Sequence, residues 1–174
     1  MGPSIGTVLA RFANWRTGAA AAAAMLGCVA GLAWRQSRMG GLESLDSRGW
    51  YTPDEAAALF AALDELDPAA RTVYAATELT LDMAFLAAYG TVFAILLYRL
   101  FREWPLFLLA LALAGADALE NVAIASLALS YDGGPTPLSW LSAAFTAMKS
   151  ALIPLTLGAI AIGAARWFVL RLRS

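Results

Sequence analysis

An all-α integral membrane protein, built as a four-helix transmembrane bundle with a short amphipathic extracytoplasmic helix between spans 1 and 2, is the fold class that three observations predict. The 174 residues are 60% hydrophobic and only 14% charged, where soluble domains carry charge on about a quarter of their residues. Four stretches are long and apolar enough to cross a hydrocarbon core of about 30 Å, which takes about 20 helical residues. Twenty of the 25 charged residues lie outside those four stretches. The chain reads as one membrane domain over 1–174.

Residues 1–16 form a cytoplasmic N-terminus carrying Arg11 and Arg16. The first span, 17–34, is dominated by the alanine block Ala19 to Ala24. It also resembles a signal segment, with basic residues before an apolar run and the small residues Ala30 to Ala33 behind it. Ala23, Gly27 and Gly31 recur every four residues, a small-residue face suited to close helix packing or to a homodimer contact.

The extracytoplasmic segment 35–74 is too long for a plain loop and calls for structure of its own. Thr52-Pro-Asp-Glu55 combines a capping box with proline at the first helical position. It predicts a helix over 53–66 whose apolar face is Ala56, Leu59, Phe60, Leu63 and Leu66. Its other face is acidic, which argues for a lid on the bundle mouth over adsorption to anionic lipid. Trp50 and Tyr51, just before the cap, are expected as interfacial anchors. Asp67-Pro68 repeats the cap-then-proline signal and predicts a further helix running into the second span.

Spans two, three and four cover 75–98, 106–130 and 139–165, joined by a cytoplasmic loop at 99–105 and an extracytoplasmic loop at 131–138. The second loop, Tyr131-Asp-Gly-Gly-Pro-Thr-Pro137, is dense in helix breakers. Both connections are short, so adjacent spans are antiparallel neighbours. Residues 166–174 form a cytoplasmic tail. Seven arginines flank the cytoplasmic ends: Arg11, Arg16, Arg99, Arg102, Arg166, Arg171 and Arg173. The outer segment offsets Arg35, Arg38, Arg48 and Arg71 with seven acids. Arginine placement therefore gives an N-in, C-in topology, in a bacterial-type cytoplasmic (inner) membrane.

The composition also restricts the chemistry. There is no histidine, Cys28 is the only cysteine, and Lys149 is the only lysine beside eleven arginines. Histidine-ligated metals, histidine-based nucleophile systems and intramolecular disulfides are excluded. Nothing points to nucleic acid. Carboxylate, amide, hydroxyl and amine chemistry remain.

Five charges fall inside spans: Glu78, Asp82, Asp117, Glu120 and Lys149. Each costs roughly 2.5–3.5 kcal/mol at the bilayer centre on insertion scales, so each is expected to face the bundle interior with a partner. Glu78 and Asp82 share a face of span two, extended by Phe85 and Tyr89. Asp117, Glu120 and Asn121 share a face of span three, and Ser142, Thr146, Lys149 and Thr156 one of span four, with Ser150 beside it. Counting about 1.5 Å per residue from each span's midpoint puts them all in the outer half of the membrane. Pro154 removes the hydrogen bond to the Ser150 carbonyl one turn from the lysine.

These residues predict one polar ligand-binding site made of Glu78, Asp82, Tyr89, Asp117, Glu120, Asn121, Thr146, Lys149 and Ser150. Lys149 is expected to pair with Asp117 or Glu120, and four carboxylates against one ammonium leave an excess of three negative charges. The function this favours is binding of a small polar ligand, a lipid head group or a cation. No organic cofactor is evident. A hard divalent or monovalent cation would use the oxygen donors Asp82, Asp117, Glu120 and Asn121. One alternative is an intramembrane enzyme acting on a lipid substrate, with Asp82, Asp117, Glu120 and Lys149 as its acid, base and amine groups. The other is an accessory subunit of a larger membrane complex, with a purely structural polar core. The sequence names no reaction, and the balance leans away from an enzyme. Expected partners are membrane lipid and either a second copy through the first span or a larger complex.

Overall fold

A computed structural model describes residues 13–102 and 105–172; Arg11 and Arg173 of the predicted arginine flanks, and Glu103 and Trp104 of the first short loop, lie outside them. Among the described residues the fold is made of five helices: α1 (Trp15–Arg38), α2 (Pro53–Leu66), α3 (Ala70–Leu100), α4 (Phe107–Ser130) and α5 (Leu138–Leu172). No strand occurs among the described residues. Four of these helices, α1, α3, α4 and α5, are long and apolar enough to cross a membrane.

Helix α4 coincides with its expected span to within one residue, whereas α1, α3 and α5 extend beyond theirs, most of all α5, which continues through Pro154 to Leu172. Asn14 starts α1 by accepting the Thr17 N–H at 3.0 Å. Thr52 and Glu55 close both halves of the capping box that starts α2. The helix expected to begin at Pro68 starts at Ala70, because Asp67 Oδ1 accepts the Ala69 N–H at 2.7 Å in a local turn.

The bundle has two ends. At the terminal end, Arg99 near the close of α3 donates to the Ala13 carbonyl just before α1, and Ala13, Arg102 and Trp167 line one cavity there. At the cap end, residues 39–69 fold over α3, α4 and α5. Their side chains Met39, Leu45, Tyr51, Leu59, Phe60 and Leu63 form one apolar cluster with Tyr74, Ile124, Leu127 and Ala143. Arg71 ties the cap down by pairing with Asp64 at 3.0 Å and donating to the Ala128 and Tyr131 carbonyls at 2.9 Å. Those carbonyls close α4, where a helix leaves its last acceptors without intrahelical donors. A second apolar cluster, around Ala94, Leu97 and Ala110, fills the terminal end.

Helix α1 stands at the margin, with only Cys28 and Arg35 buried. It meets α3 where Gly31 lies against Leu81; a Cβ at Gly31 would come within 2.8 Å of that side chain. The stripe Ala23, Gly27, Gly31 is thus divided: Gly31 packs within the chain, and Ala23 and Gly27 are exposed.

The burial pattern inverts that of a soluble bundle. Leu111, Leu119, Val122, Leu141, Leu155 and Ile162 point outward, whereas Glu78, Glu120, Asn121, Ser142, Thr146 and Thr156 are fully buried. The five described tryptophans are exposed and sit at helix ends: Trp15 and Trp167 at the terminal end, Trp34, Trp50 and Trp140 at the cap end. Trp50 and Trp140 stack with ring centroids 6.0 Å apart. Tyr51 departs from the expected interfacial role, being 0% exposed and plugged into the bundle.

Candidate functional site

Between the two apolar clusters lies a polar layer that begins with an irregularity in α3. Residues Glu78–Asp82 form one wide turn with i to i+5 hydrogen bonding, a π turn inside an otherwise α-helical segment. Such a turn holds one residue more than an α turn. Here it directs both Glu78 and Asp82 inward, at 0% and 4% exposure, while Leu79 between them faces outward.

Two ion-pair networks share the layer. In the first, Lys149 Nζ lies 2.5 Å from Glu120 Oε2 and 3.2 Å from Asp117 Oδ1. Each carboxylate has a second partner, Thr146 Oγ1–H donating to Glu120 Oε1 and Tyr89 O–H to Asp117 Oδ2, both at 2.6 Å. The chain of contacts reaches the cap, because the Tyr51 hydroxyl donates to Ser142 Oγ at 2.5 Å, one turn of α5 before Thr146. Burial pushes the Tyr51 hydroxyl up to about 12 despite its contacts with Ser142 and Thr146. It therefore serves as a neutral donor. Gly49 at φ +75° makes the turn that delivers this tyrosine, a backbone region that favours glycine.

The second network was not legible as such in the sequence. Arg35, expected as a flanking charge at the end of the first span, is 6% exposed. Its Nη1 lies 2.6 Å from Glu78 Oε1 and its Nη2 3.8 Å from Asp46 Oδ1, and its guanidinium stacks 5.1 Å from the Tyr74 ring centroid. Asp46 sits in the short 3₁₀ turn Leu45–Ser47, held down by the Leu45 N–H donating to the Tyr74 hydroxyl at 3.1 Å. Asp82 stands between the networks, interacting electrostatically with Asp117 and Lys149 on one side and with Asp46 and Arg35 on the other.

The predicted site is therefore brought together with changes in its membership. Tyr89, Asp117, Glu120, Thr146 and Lys149 meet as one cluster, which Asp82 adjoins through electrostatic interaction with Asp117 and Lys149. Glu78 joins the layer through Arg35, an ion the prediction did not include. Ser150 is half-buried, with its Oγ beside Gly49 of the cap. Asn121 is fully buried, and neither its amide oxygen nor its nitrogen has a hydrogen-bond partner among the described residues. The oxygen donors proposed for a metal, Asp82, Asp117, Glu120 and Asn121, are regrouped. Lys149 occupies Asp117 and Glu120, and the three carboxylates that place one oxygen each within 4.8 Å of one another are Asp46, Glu78 and Asp82.

Arg35 left a faint signal in the sequence: with Cys28 and Gly31 it continues one face of α1 at helical spacing. Asp46 left none, because a turn residue in a polar segment reaches the bundle only through tertiary folding. The chain matches no protein-family model, no curated protein and no solved structure.

Proposed function

We propose that this chain is an integral membrane protein that binds a hard cation in the Asp46–Glu78–Asp82 cluster, at the level where the cap closes the bundle. One observation carries the reading. Five carboxylates, Asp46, Glu78, Asp82, Asp117 and Glu120, share the buried layer with two cations, Arg35 and Lys149. Two of the three excess negative charges fall on the side where carboxylate oxygens converge, since Asp46, Glu78 and Asp82 there face Arg35 alone. Carboxylates crowded in this way need a bound proton or a metal ion, because like charges at low dielectric repel strongly. Oxygen-only donors favour calcium, magnesium or sodium over softer metals.

The Lys149 network supports a different role for its own half. Its ammonium has two carboxylates, and each of those has a hydroxyl donor, an arrangement suited to locking α3, α4 and α5 in register. On this reading the single predicted site divides into a structural half and a binding half.

Membrane insertion is supported by the inverted burial and by tryptophans at both helix ends, where interfacial anchors collect. Burial of Arg35 in an ion pair also removes it from the outer flank, sharpening the asymmetry behind the N-in, C-in topology. Arg16, Arg99, Arg102, Arg166 and Arg171 remain at the terminal end of the described chain.

The test is thermal unfolding of the purified chain in detergent at fixed ionic strength, titrated with calcium, magnesium or sodium. A saturable rise in Tm with one of these, abolished in Asp82→Asn, is the expected result. A Tm indifferent to all three cations refutes metal binding, and one indifferent to pH between 4 and 8 as well refutes the site.

A further inference from the structure

Outside the polar layer, a concavity opens sideways between the cap end of α1, the end of α2 and the start of α3. Its volume is about 650 Å³, in the range of built small-molecule sites. The walls combine two chemistries. Gly31, Val73 and Leu81 make an apolar floor and side, with α1 and α3 close together because Gly31 has no side chain to part them. Arg35 and Arg38 lie on the cap-end wall with Trp34. Arg35 uses its Nη atoms on Glu78 and Asp46, but its buried Nε has no hydrogen-bond partner among the described residues. Arg38 is exposed, stacks 6.0 Å from the Trp34 ring centroid and pairs with no described carboxylate. The groove's one acid, Asp67, has an oxygen engaged by the Ala69 N–H.

We infer that this groove holds one phospholipid with an anionic head group, its phosphate against Arg38 on the wall that Arg35 also lines, and an acyl chain along Gly31, Val73 and Leu81. Charge complementarity selects the occupant. A guanidinium forms short, charge-assisted hydrogen bonds to phosphate oxygens, and an apolar trough leading away from it suits a hydrocarbon chain better than a soluble anion. The level fits too, because Trp34 marks the interfacial zone in which head groups lie. The inference rests on the membrane reading above but not on cation binding, since the groove is separate from the Asp46–Glu78–Asp82 oxygens.

The experiment is native mass spectrometry of the full chain released from nanodiscs containing equal phosphatidylglycerol and phosphatidylcholine, alongside the variants Arg38→Gln and Val73→Trp. The expected result is one retained lipid per chain, with phosphatidylglycerol preferred about tenfold, because both lipids offer the phosphate but only phosphatidylcholine sets a quaternary ammonium, a like charge, beside the guanidiniums. Arg38→Gln should abolish the preference, and Val73→Trp, which fills the trough, should abolish retention. Val73 is exposed, so circular dichroism should report native helix content; if that variant does not fold, Arg38→Gln carries the test alone. Equal retention of the two lipids, or a preference unchanged in Arg38→Gln, overturns the inference. So does displacement of phosphatidylglycerol by millimolar inorganic phosphate, which would identify a soluble-anion site. A chain that fails to float with vesicles overturns the membrane reading and this inference together, whereas a Tm indifferent to metal cations leaves this one standing.

Discussion

Replacing Lys149 by methionine removes one ammonium and keeps most of the side-chain volume, so the effect should be electrostatic. The ammonium is the only cation within ion-pair distance of Asp117 and Glu120 among the described residues, at 3.2 and 2.5 Å, and all three side chains are buried. Removing one partner of a buried pair costs about 3–5 kcal/mol, because it leaves charge uncompensated at low dielectric. Here two carboxylates lose their cation, so Lys149→Met belongs at the upper end of that range. For a chain of this size that corresponds to roughly 10–20 °C in Tm, at about 2–4 °C per kcal/mol. The assay is thermal unfolding in detergent, followed by circular dichroism, for Lys149→Met and for the triple variant Asp117→Asn, Glu120→Gln, Lys149→Met. The triple variant should recover most of the loss, since removing a whole buried ionic group is often neutral. A loss under about 1 kcal/mol in the single variant would refute the reasoning, showing the carboxylates to be neutral or hydrated without the lysine. No recovery in the triple variant would show that the packing of the lysine stem, and not its charge, was lost.

Three further outcomes test the cap and the bundle. Tyr51→Phe leaves buried Ser142 without its donor and should cost about 1–2 kcal/mol in unfolding experiments. Its pH signature is alkaline. Because the folded hydroxyl is held at about 12, its contribution is complete below the ordinary tyrosine value near 10 and is lost as pH rises through 12, a limb that Tyr51→Phe should flatten. Thr52→Ala removes the cap of α2 and should cost about 1 kcal/mol. The Thr52 backbone and side-chain donors hold the Glu55 carboxyl below its usual value. The capping box is therefore intact above the ordinary carboxylate range and fails as pH falls through the lowered value, an acid limb that should vanish in Glu55→Gln. Gly163→Leu should separate α5 from α3, since even a Cβ there falls 2.6 Å from Phe101 and 2.9 Å from the Leu100 Cβ; a cost of about 1–3 kcal/mol is expected from overpacking, read as lowered Tm.

The helical architecture was legible because its signals are local. Long apolar runs, the Thr52 box and the breakers at 131–137 each act within a turn or two of the chain. The site was legible in part for the same reason, since residues three and four apart share a helix face and same-face acids in an apolar run have one inward direction available. What escaped was tertiary. Arg35 looks like any arginine at the end of a span until the cap folds back and supplies Asp46. Tyr51 looks like an interfacial aromatic until Gly49 turns it into the bundle. The π turn was illegible because nothing in Glu-Leu-Thr-Leu-Asp distinguishes a wide turn from an ordinary one.

That wide turn has a consequence for how the chain tolerates change. It amounts to one extra residue absorbed without breaking the rod, and every position before it is rotated by about 100° from where an uninterrupted α-helix would leave it. Excising a single residue from 78–82 would keep the rod whole, yet the half of α3 bearing Tyr74 and Arg71 would swing away from the cap while Tyr89 stayed in place. Length therefore matters here beside side-chain identity: the wide turn sets the phase between the half of α3 that meets the cap and the half that carries Tyr89.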